Sequence, residues 1–148
     1  MSVYLDASVI IPKLVEEPET AAVEAYLAGN PEDRLVSDFA AAEVASVLSR
    51  LLRMGQLSLA EASAAIADFE IWRASNSSPV EVHAGDVRLA YAHVHRFDLA
   101  LRAPDALHLA IARRTGAKLV SFDRRLLRAA SALGIMADMP TIPSGRIK

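Results

Sequence analysis

The 148-residue sequence contains no cysteine, which excludes a disulfide framework and a thiolate zinc site and fits a reducing compartment. It has no run near 18 apolar residues. Its amino terminus lacks a basic region and carries Asp6 inside the first apolar stretch, so neither a spanning helix nor a secretory signal is expected. We accordingly expect a soluble, cytoplasmic protein with no membrane partner. Internal repeats and low-complexity segments are absent. Aromatic residues make up 5% of the chain, and Trp72 and the others suit a core or a dimer contact better than a base-stacking platform. A strong excess of one charge is also missing, since the net charge is -2.

What is present is apolar surface: 53% of residues are hydrophobic and the mean hydropathy is +0.25. A chain of this length has the size of one domain, here 1–148, and can bury about two thirds of its unfolded surface. The small net charge conceals an asymmetry. Residues 1–75 carry five Lys and Arg against twelve Asp and Glu, whereas residues 76–148 carry eleven against six. A basic half can supply phosphate contacts and an acidic half can hold cations; solvated helix faces explain the same numbers equally well.

The opening stretch organises the rest. Ser2 to Leu5 is short and rich in β-branched and aromatic residues, which predicts a buried strand running straight into a helix over Ala7–Val15. Asp6 then stands at the strand's carboxyl end, where open α/β sheets bind ligands, or else Asp6 or Ser8 caps the helix. A second helix is expected from Glu17-Pro18-Glu19 through Leu27, with Pro18 in its first turn. Arg34–Ser37 is a short strand candidate, and Asp38 is placed to cap a helix from Phe39 to Met54. That helix shows an apolar stripe of Val44, Val47, Leu48, Leu51 and Leu52, with Gly55 as its stop. Glu43 lies at the edge of the stripe, either on the rim or pointing into a cleft. Ser58-Leu59-Ala60-Glu61 matches a capping box that opens a helix to about Arg73.

Asn76-Ser77-Ser78-Pro79 is a loop signal, followed by a short strand over Pro79–His83 and a helix over Asp86–Arg96. Arg102-Ala103-Pro104-Asp105 begins a helix through Arg114, closed by Gly116. A negative charge in that first turn is favoured by the helix dipole, which explains Asp105 structurally; alternatively Asp105 projects into the cleft beside Asp6. Lys118–Phe122 predicts a strand that leads into Asp123 and a helix over Arg124–Leu133. If the strand persists, Ser121 and Asp123 share a face. Ile135–Ala137 is a final strand candidate, and the tail after Pro140 is expected to be loose.

Two strand-to-helix junctions therefore carry acids at opposite ends of the chain. If their strands are parallel neighbours, Asp6 and Asp123 emerge at one sheet edge, within reach of Glu43 and Asp105. Like charges so placed must take up protons or bind a cation, and all-oxygen ligation favours Mg²⁺ or Mn²⁺ over zinc.

These residues resemble those of the PIN-domain ribonucleases, and among them the VapC-type toxins of toxin–antitoxin pairs. The matching pieces are Leu5-Asp6-Ala7-Ser8, a helical Glu43, the run from Arg102 to Ala112, and the run from Leu119 to Leu126. One departure is Ser121, where the family more often has Thr. The resemblance implies a three-layer α/β/α sandwich with a central parallel sheet and an acidic pocket of Asp6, Glu43, Asp105 and Asp123. It also implies endoribonuclease activity dependent on Mg²⁺ or Mn²⁺, a homodimer, and a VapB-like antitoxin that covers the pocket.

In that frame Asp6 and Asp105 would hold the metal, with Glu43 and Asp123 as further ligands or water-positioning groups. Ser8 and Ser121 would orient the carboxylates. Arg102, Arg124, Arg125 and Arg128 are candidates for gripping RNA, and fewer than half are expected to do so. His93 and His95 lack the spacing of a helical metal pair, and His108 suits packing or support behind a carboxylate. Alternatives are an RNA-processing nuclease that is not a toxin, or a catalytically silent binding module. A phosphatase with Asp6 as nucleophile would normally carry a second Asp where Ser8 stands, and a receiver-like domain would want an amino-terminal acidic cluster.

Overall fold

Five short strands form the centre of the computed structural model, which describes residues 1–142. They are β1 (Val3–Leu5), β2 (Arg34–Ser37), β3 (Ser78–Val80), β4 (Lys118–Val120) and β5 (Ala137–Asp138). All pair in parallel, in the order β3-β2-β1-β4-β5. A parallel sheet covered on both faces needs strands that are apolar throughout. The central strand meets that demand, because Val3, Tyr4 and Leu5 are all fully buried.

Seven helices cover the two faces: α1 (Ala7–Leu14), α2 (Thr20–Gly29), α3 (Asp38–Arg53), α4 (Leu59–Asn76), α5 (Ala84–Val94), α6 (Ala103–Thr115) and α7 (Arg124–Ala132). Strand alternation sorts them into layers. Val3, Leu5, Val36 and Val120 pack with α1 to α4 on one side. Tyr4 and Leu119 pack with α5 to α7 on the other. The result is the three-layer α/β/α sandwich expected from the sequence.

Most expected elements form, with shifted ends. α2 begins at Thr20, so Pro18 lies in the preceding turn and not in the first helical turn. The reason is Thr20 itself, whose hydroxyl accepts from Glu17 N–H at 2.9 Å and donates to the Pro12 carbonyl at 2.5 Å, tying the turn to the end of α1. Ser37, and not Asp38, caps α3, accepting from Ala40 N–H at 2.9 Å; Asp38 instead pairs with Arg73 of α4 at 2.8 Å. The capping box of Ser58 and Glu61 forms as read. β3 stops at Val80, β5 starts two residues later than expected and ends one later, and β4 ends at Val120. The tail after Pro140, expected to be loose, lies outside the described residues from position 143 onward.

Candidate active site

The strand order places the site. From β1 the chain moves outward to β2 and β3, then crosses back over the sheet to β4, so β1 and β4 are neighbours that start runs in opposite directions. Crevices at such a switch point, outside the carboxyl ends of the strands, are where open α/β sheets bind ligands. Here the crevice is a cavity of about 430 Å³ whose lining includes Asp6, Ser8, Glu43, Asp105 and Asp123. The four acids singled out in the sequence therefore share one cleft.

Asp6 follows β1 directly and occupies the N-cap position of α1, yet its side chain caps nothing. Its oxygens instead accept from two hydroxyls, Oδ1 from Ser8 at 2.6 Å and Oδ2 from Ser121 at 2.5 Å. Each serine also takes a backbone proton from the β4–α7 junction. Ser8 Oγ accepts from Phe122 N–H and Ser121 Oγ from Asp123 N–H, both at 3.0 Å. Two hydroxyls thus fasten the β1 junction to the β4 junction. Ser121 and Asp123 are joined by this bond and not by strand alternation, since β4 has already ended. Burial pushes the Asp6 carboxyl above its ordinary range, with a smaller push from Glu43, and the hydrogen bonds from the two serine hydroxyls oppose it.

The other acids come from helices. Asp105 is buried in the first turn of α6, where its Oδ2 lies 3.4 Å from the Arg102 amide and 3.5 Å from Arg102 Nε. Its capping role and its place in the cleft therefore coexist. Asp123 caps α7 with a single oxygen, Oδ1, which accepts from Arg125 N–H at 2.9 Å and Leu126 N–H at 3.2 Å. Glu43 enters from α3, and its Oε1 is hydrogen-bonded to His108 Nε2.

Nothing in the sequence reading marked Arg50, Glu17 or Glu19 as parts of the cleft, whereas His108 was expected as packing or support behind a carboxylate. His108 turns out to touch Glu43 directly, and its Nδ1 lies 2.7 Å from the buried Tyr4 hydroxyl, which in turn lies 2.7 Å from Ser37 Oγ. Burial raises the Tyr4 hydroxyl above its usual range, so it keeps its proton. Arg50 also lines the cleft; it stands seven residues after Glu43 on α3, two turns along the same face, and that spacing was readable. Glu17 and Glu19, from the turn before α2, complete the acidic wall. His93 and His95 lie away from this cleft: His93 is buried in α5, and His95 stacks on Tyr91 with ring centroids 4.6 Å apart.

A second open cavity, of about 580 Å³, adjoins the first through Arg102, Phe122 and Asp123, and its remaining lining is Arg124, Arg125 and Arg128. All four arginines named from the sequence meet there.

The acidic cleft suits a hard divalent ion by the chemistry of its donors. Asp6 is a carboxylate only 5% exposed, and among the described residues no Lys or Arg pairs with it. No group of three His, Asp or Glu among the described residues is placed to enclose an ion. That leaves the habit of Mg²⁺, which is held by one or two carboxylates and completes its shell with water and substrate oxygens.

Comparison with known proteins agrees with the fold. Residues 3–132 match the PIN domain family. The chain is 31% identical over 143 residues to Ribonuclease VapC46 of Mycobacterium tuberculosis, an alignment covering 95% of this chain and 98% of that protein. In fold it is similar to VapC20 of the same organism, described as a sarcin-ricin loop cleaving toxin, with a TM-score of 0.70 and 19% identity over 90% of this chain and 96% of that one. It is likewise similar to VapBC2 from Rickettsia felis, solved on a DNA fragment from their promoter, with a TM-score of 0.71 and 12% identity over 94% of this chain and 98% of that one.

Proposed function

The chain belongs to the PIN domain family, and from that premise we propose that it is an endoribonuclease and the toxin of a toxin–antitoxin pair. The observation that carries the reading is the meeting of Asp6, Glu43, Asp105 and Asp123 in one cleft at the switch point of the sheet. Ribonucleases of this family generally depend on a divalent metal; we assign Mg²⁺ here, with Mn²⁺ as a substitute. Asp6 and Asp105 would hold the ion. When bound, such an ion lowers the pKa of a water and offsets the charge that develops on a phosphodiester.

The chain's own residues do the rest. Ser8 and Ser121 fix both oxygens of Asp6, so the carboxylate presents one orientation to the cleft. Glu43 and Asp123 orient the attacking water. Because Arg102, Arg124, Arg125 and Arg128 line one adjoining groove, we assign all four to the phosphates of the RNA, more than the fewer than half expected from the sequence, and Arg102 and Asp123 border both spaces. Attack by water yields 5′-phosphate and 3′-hydroxyl ends.

The partner we assign is a VapB-like antitoxin whose segment covers the cleft, as the toxin–antitoxin names of the similar proteins suggest. A homodimer belongs to the same reading. It is supported by an apolar groove lined by Phe39, Val87, Tyr91, Val94, Pro104 and Leu107, and sedimentation of the purified chain checks it. We place the activity in the cytoplasm as one single domain; among the described residues no helix is long and apolar enough to cross a membrane.

The test is cleavage of total cellular RNA by antitoxin-free protein with Mg²⁺, with Mn²⁺ and with chelator, beside Asp6→Asn. Discrete metal-dependent products that vanish in the variant are expected. Products ending in 2′,3′-cyclic phosphate would overturn hydrolysis by water, and no cleavage by folded protein would point to a silent binding module.

A further inference from the structure

Behind Glu43 runs a buried chain of hydrogen bonds that the reading above does not use. Ser37 Oγ, Tyr4 Oη, His108 and Glu43 Oε1 follow one another from the sheet to the cleft. Ser37 and Tyr4 are fully buried and His108 is 3% exposed. The imidazole is wedged between the Tyr4 and Phe39 rings, with centroids 5.7 and 5.2 Å away, so its plane is set by packing. Both ring nitrogens are engaged.

The protons in this chain can be counted. Ser37 Oγ already accepts from Ala40 N–H, and its own hydrogen needs an acceptor in a site closed to water. Among the described residues the acceptor in reach is Tyr4 Oη. Tyr4 has one hydrogen, which must then go to His108 Nδ1. His108 Nδ1 is thereby an acceptor, its proton sits on Nε2, and Nε2–H donates to the Glu43 carboxylate. The reverse order has His108 Nδ1–H donating to Tyr4 and Tyr4 to Ser37. It strands the Ser37 hydrogen without a partner and, for a neutral ring, sets the Nε2 lone pair against a carboxylate oxygen. Only the first order satisfies every buried group. The contact between His108 and Glu43 is then a hydrogen bond from a neutral ring and not an ion pair.

We propose that Ser37 and Tyr4 lock His108 in its Nε2–H tautomer and that His108 is a positioning residue, holding Glu43 Oε1 while Oε2 is left for the cleft. Among the described residues Glu43 makes no other side-chain hydrogen bond, so the imidazole is what fixes a flexible carboxylate. This inference rests on the assignment of Glu43 to the nuclease site. It adds a second support beside that of the serines, which bond both oxygens of Asp6: here one buried donor spends a single carboxylate oxygen to aim the other. It also explains why a tyrosine is tolerated in the central strand of a tightly packed sheet, since its hydroxyl has a partner on each side.

The test uses the full chain in four forms: wild type, Tyr4→Phe, His108→Gln and His108→Leu. Nitrogen-15 spectra of labelled histidine read the tautomer without reference to activity. Wild type should show His108 as Nε2–H with a hydrogen-bonded Nδ1, and Tyr4→Phe should shift the Nδ1 resonance toward that of an unbonded acceptor nitrogen. Mn²⁺ titration and single-turnover cleavage at saturating RNA read the effect on the site. Removal of a supporting group of this kind costs about 10–100-fold in metal affinity or activity, so His108→Leu should lose that much in at least one measure, with KM for RNA unchanged. His108→Gln, whose amide N–H can reach Glu43, should recover to within about threefold of wild type, a rescue that loss of packing alone does not predict. The proposal is overturned by an Nδ1–H or averaged tautomer in wild type, by His108→Leu staying within about twofold in both measures, or by Gln and Leu failing alike. The nuclease assignment fails separately, on absence of cleavage by wild type.

Discussion

Burial raises the Asp6 carboxyl while hydroxyls, and not a cation, hold its oxygens. A carboxyl raised in the folded state opposes folding once it is ionised; the opposition is full above the folded value, fades as pH falls below it and is gone below the unfolded value. Asp6→Asn removes the charge and keeps groups that can bond both serines. It should therefore leave stability equal or raise it by about 0.5–2 kcal/mol at pH 7, while cleavage falls more than about 100-fold, beyond the loss typical of a supporting residue. Thermal unfolding and single-turnover cleavage of the same preparation check both; a clear loss of stability would mean that Asp6 is primarily structural. Ser121→Ala removes one support and should cost about 10–100-fold in metal affinity or activity. Calorimetric Mn²⁺ titration checks it, and an unchanged isotherm would remove Ser121 from the site. At this scale Asp6, Asp105 and Asp123 were legible because each stands at a helix start visible along the chain, and Glu43 because it edges an apolar stripe. The link from Ser37 through Tyr4 to His108 was not, because its bonds span 33 and 104 residues, and no local pattern marks a contact made only when β1, α3 and α6 pack together.

Between elements, the most specific tie among the described residues is Asp86 to Arg114. Asp86 opens α5 with a side chain 3% exposed, and Arg114 near the end of α6 meets it with Nε at 2.8 Å and Nη2 at 3.0 Å. Burial works to raise the Asp86 carboxyl, but hydrogen bonds from Arg114 and from His83 N–H outweigh it and hold it below its ordinary 3.8. Breaking a buried pair costs about 3–5 kcal/mol because the survivor is stranded. The partners differ: Arg114 is 31% exposed and can return to water, whereas Asp86 cannot. We expect Asp86→Ala near 3 kcal/mol or below and Arg114→Ala nearer 5 at pH 7. A depressed carboxyl adds stability above its unfolded value and loses it as pH falls through the lower folded value. The difference between wild type and Asp86→Ala should therefore shrink below about pH 4. Urea unfolding at pH 7 and pH 3 decides it; a gap independent of pH would remove the charge from the account. The sequence reading placed the α5 helix without this tie, because charges 28 residues apart carry no periodicity. Its errors at α2 and α3 also involve ties between elements: the Thr20 hydroxyl binds the turn before α2 to the Pro12 carbonyl of α1, and Asp38 pairs with Arg73 of α4 while Ser37 takes the cap through Ala40 N–H.

Over the whole molecule the charge asymmetry of the sequence acquires a geometry. The acidic first half supplies Asp6, Glu17, Glu19 and Glu43 to the cleft, while the basic second half brings Arg102, Arg124, Arg125 and Arg128 to the groove beside it. The counts were legible; their juxtaposition was not, because it follows from the crossover that sets β4 beside β1. A polyanion lying in the arginine groove is led toward the carboxylates, which repel its phosphates unless a cation intervenes. Binding along the groove should then be electrostatic and indifferent to base identity. Each phosphate contact to a single strand contributes about 0.7 to the slope of log affinity against log salt. If three arginines make such contacts, Arg124→Gln, Arg125→Gln and Arg128→Gln combined should flatten that slope by about 2. Fluorescence anisotropy of labelled single-stranded RNA on the Asp6→Asn background, from low to physiological salt, measures it without cleavage. A partial flattening counts how many of the three touch phosphate. An unchanged slope would make all three solvated helix residues, and the cleft would then have to draw its substrate by contacts to bases or to folded RNA shape.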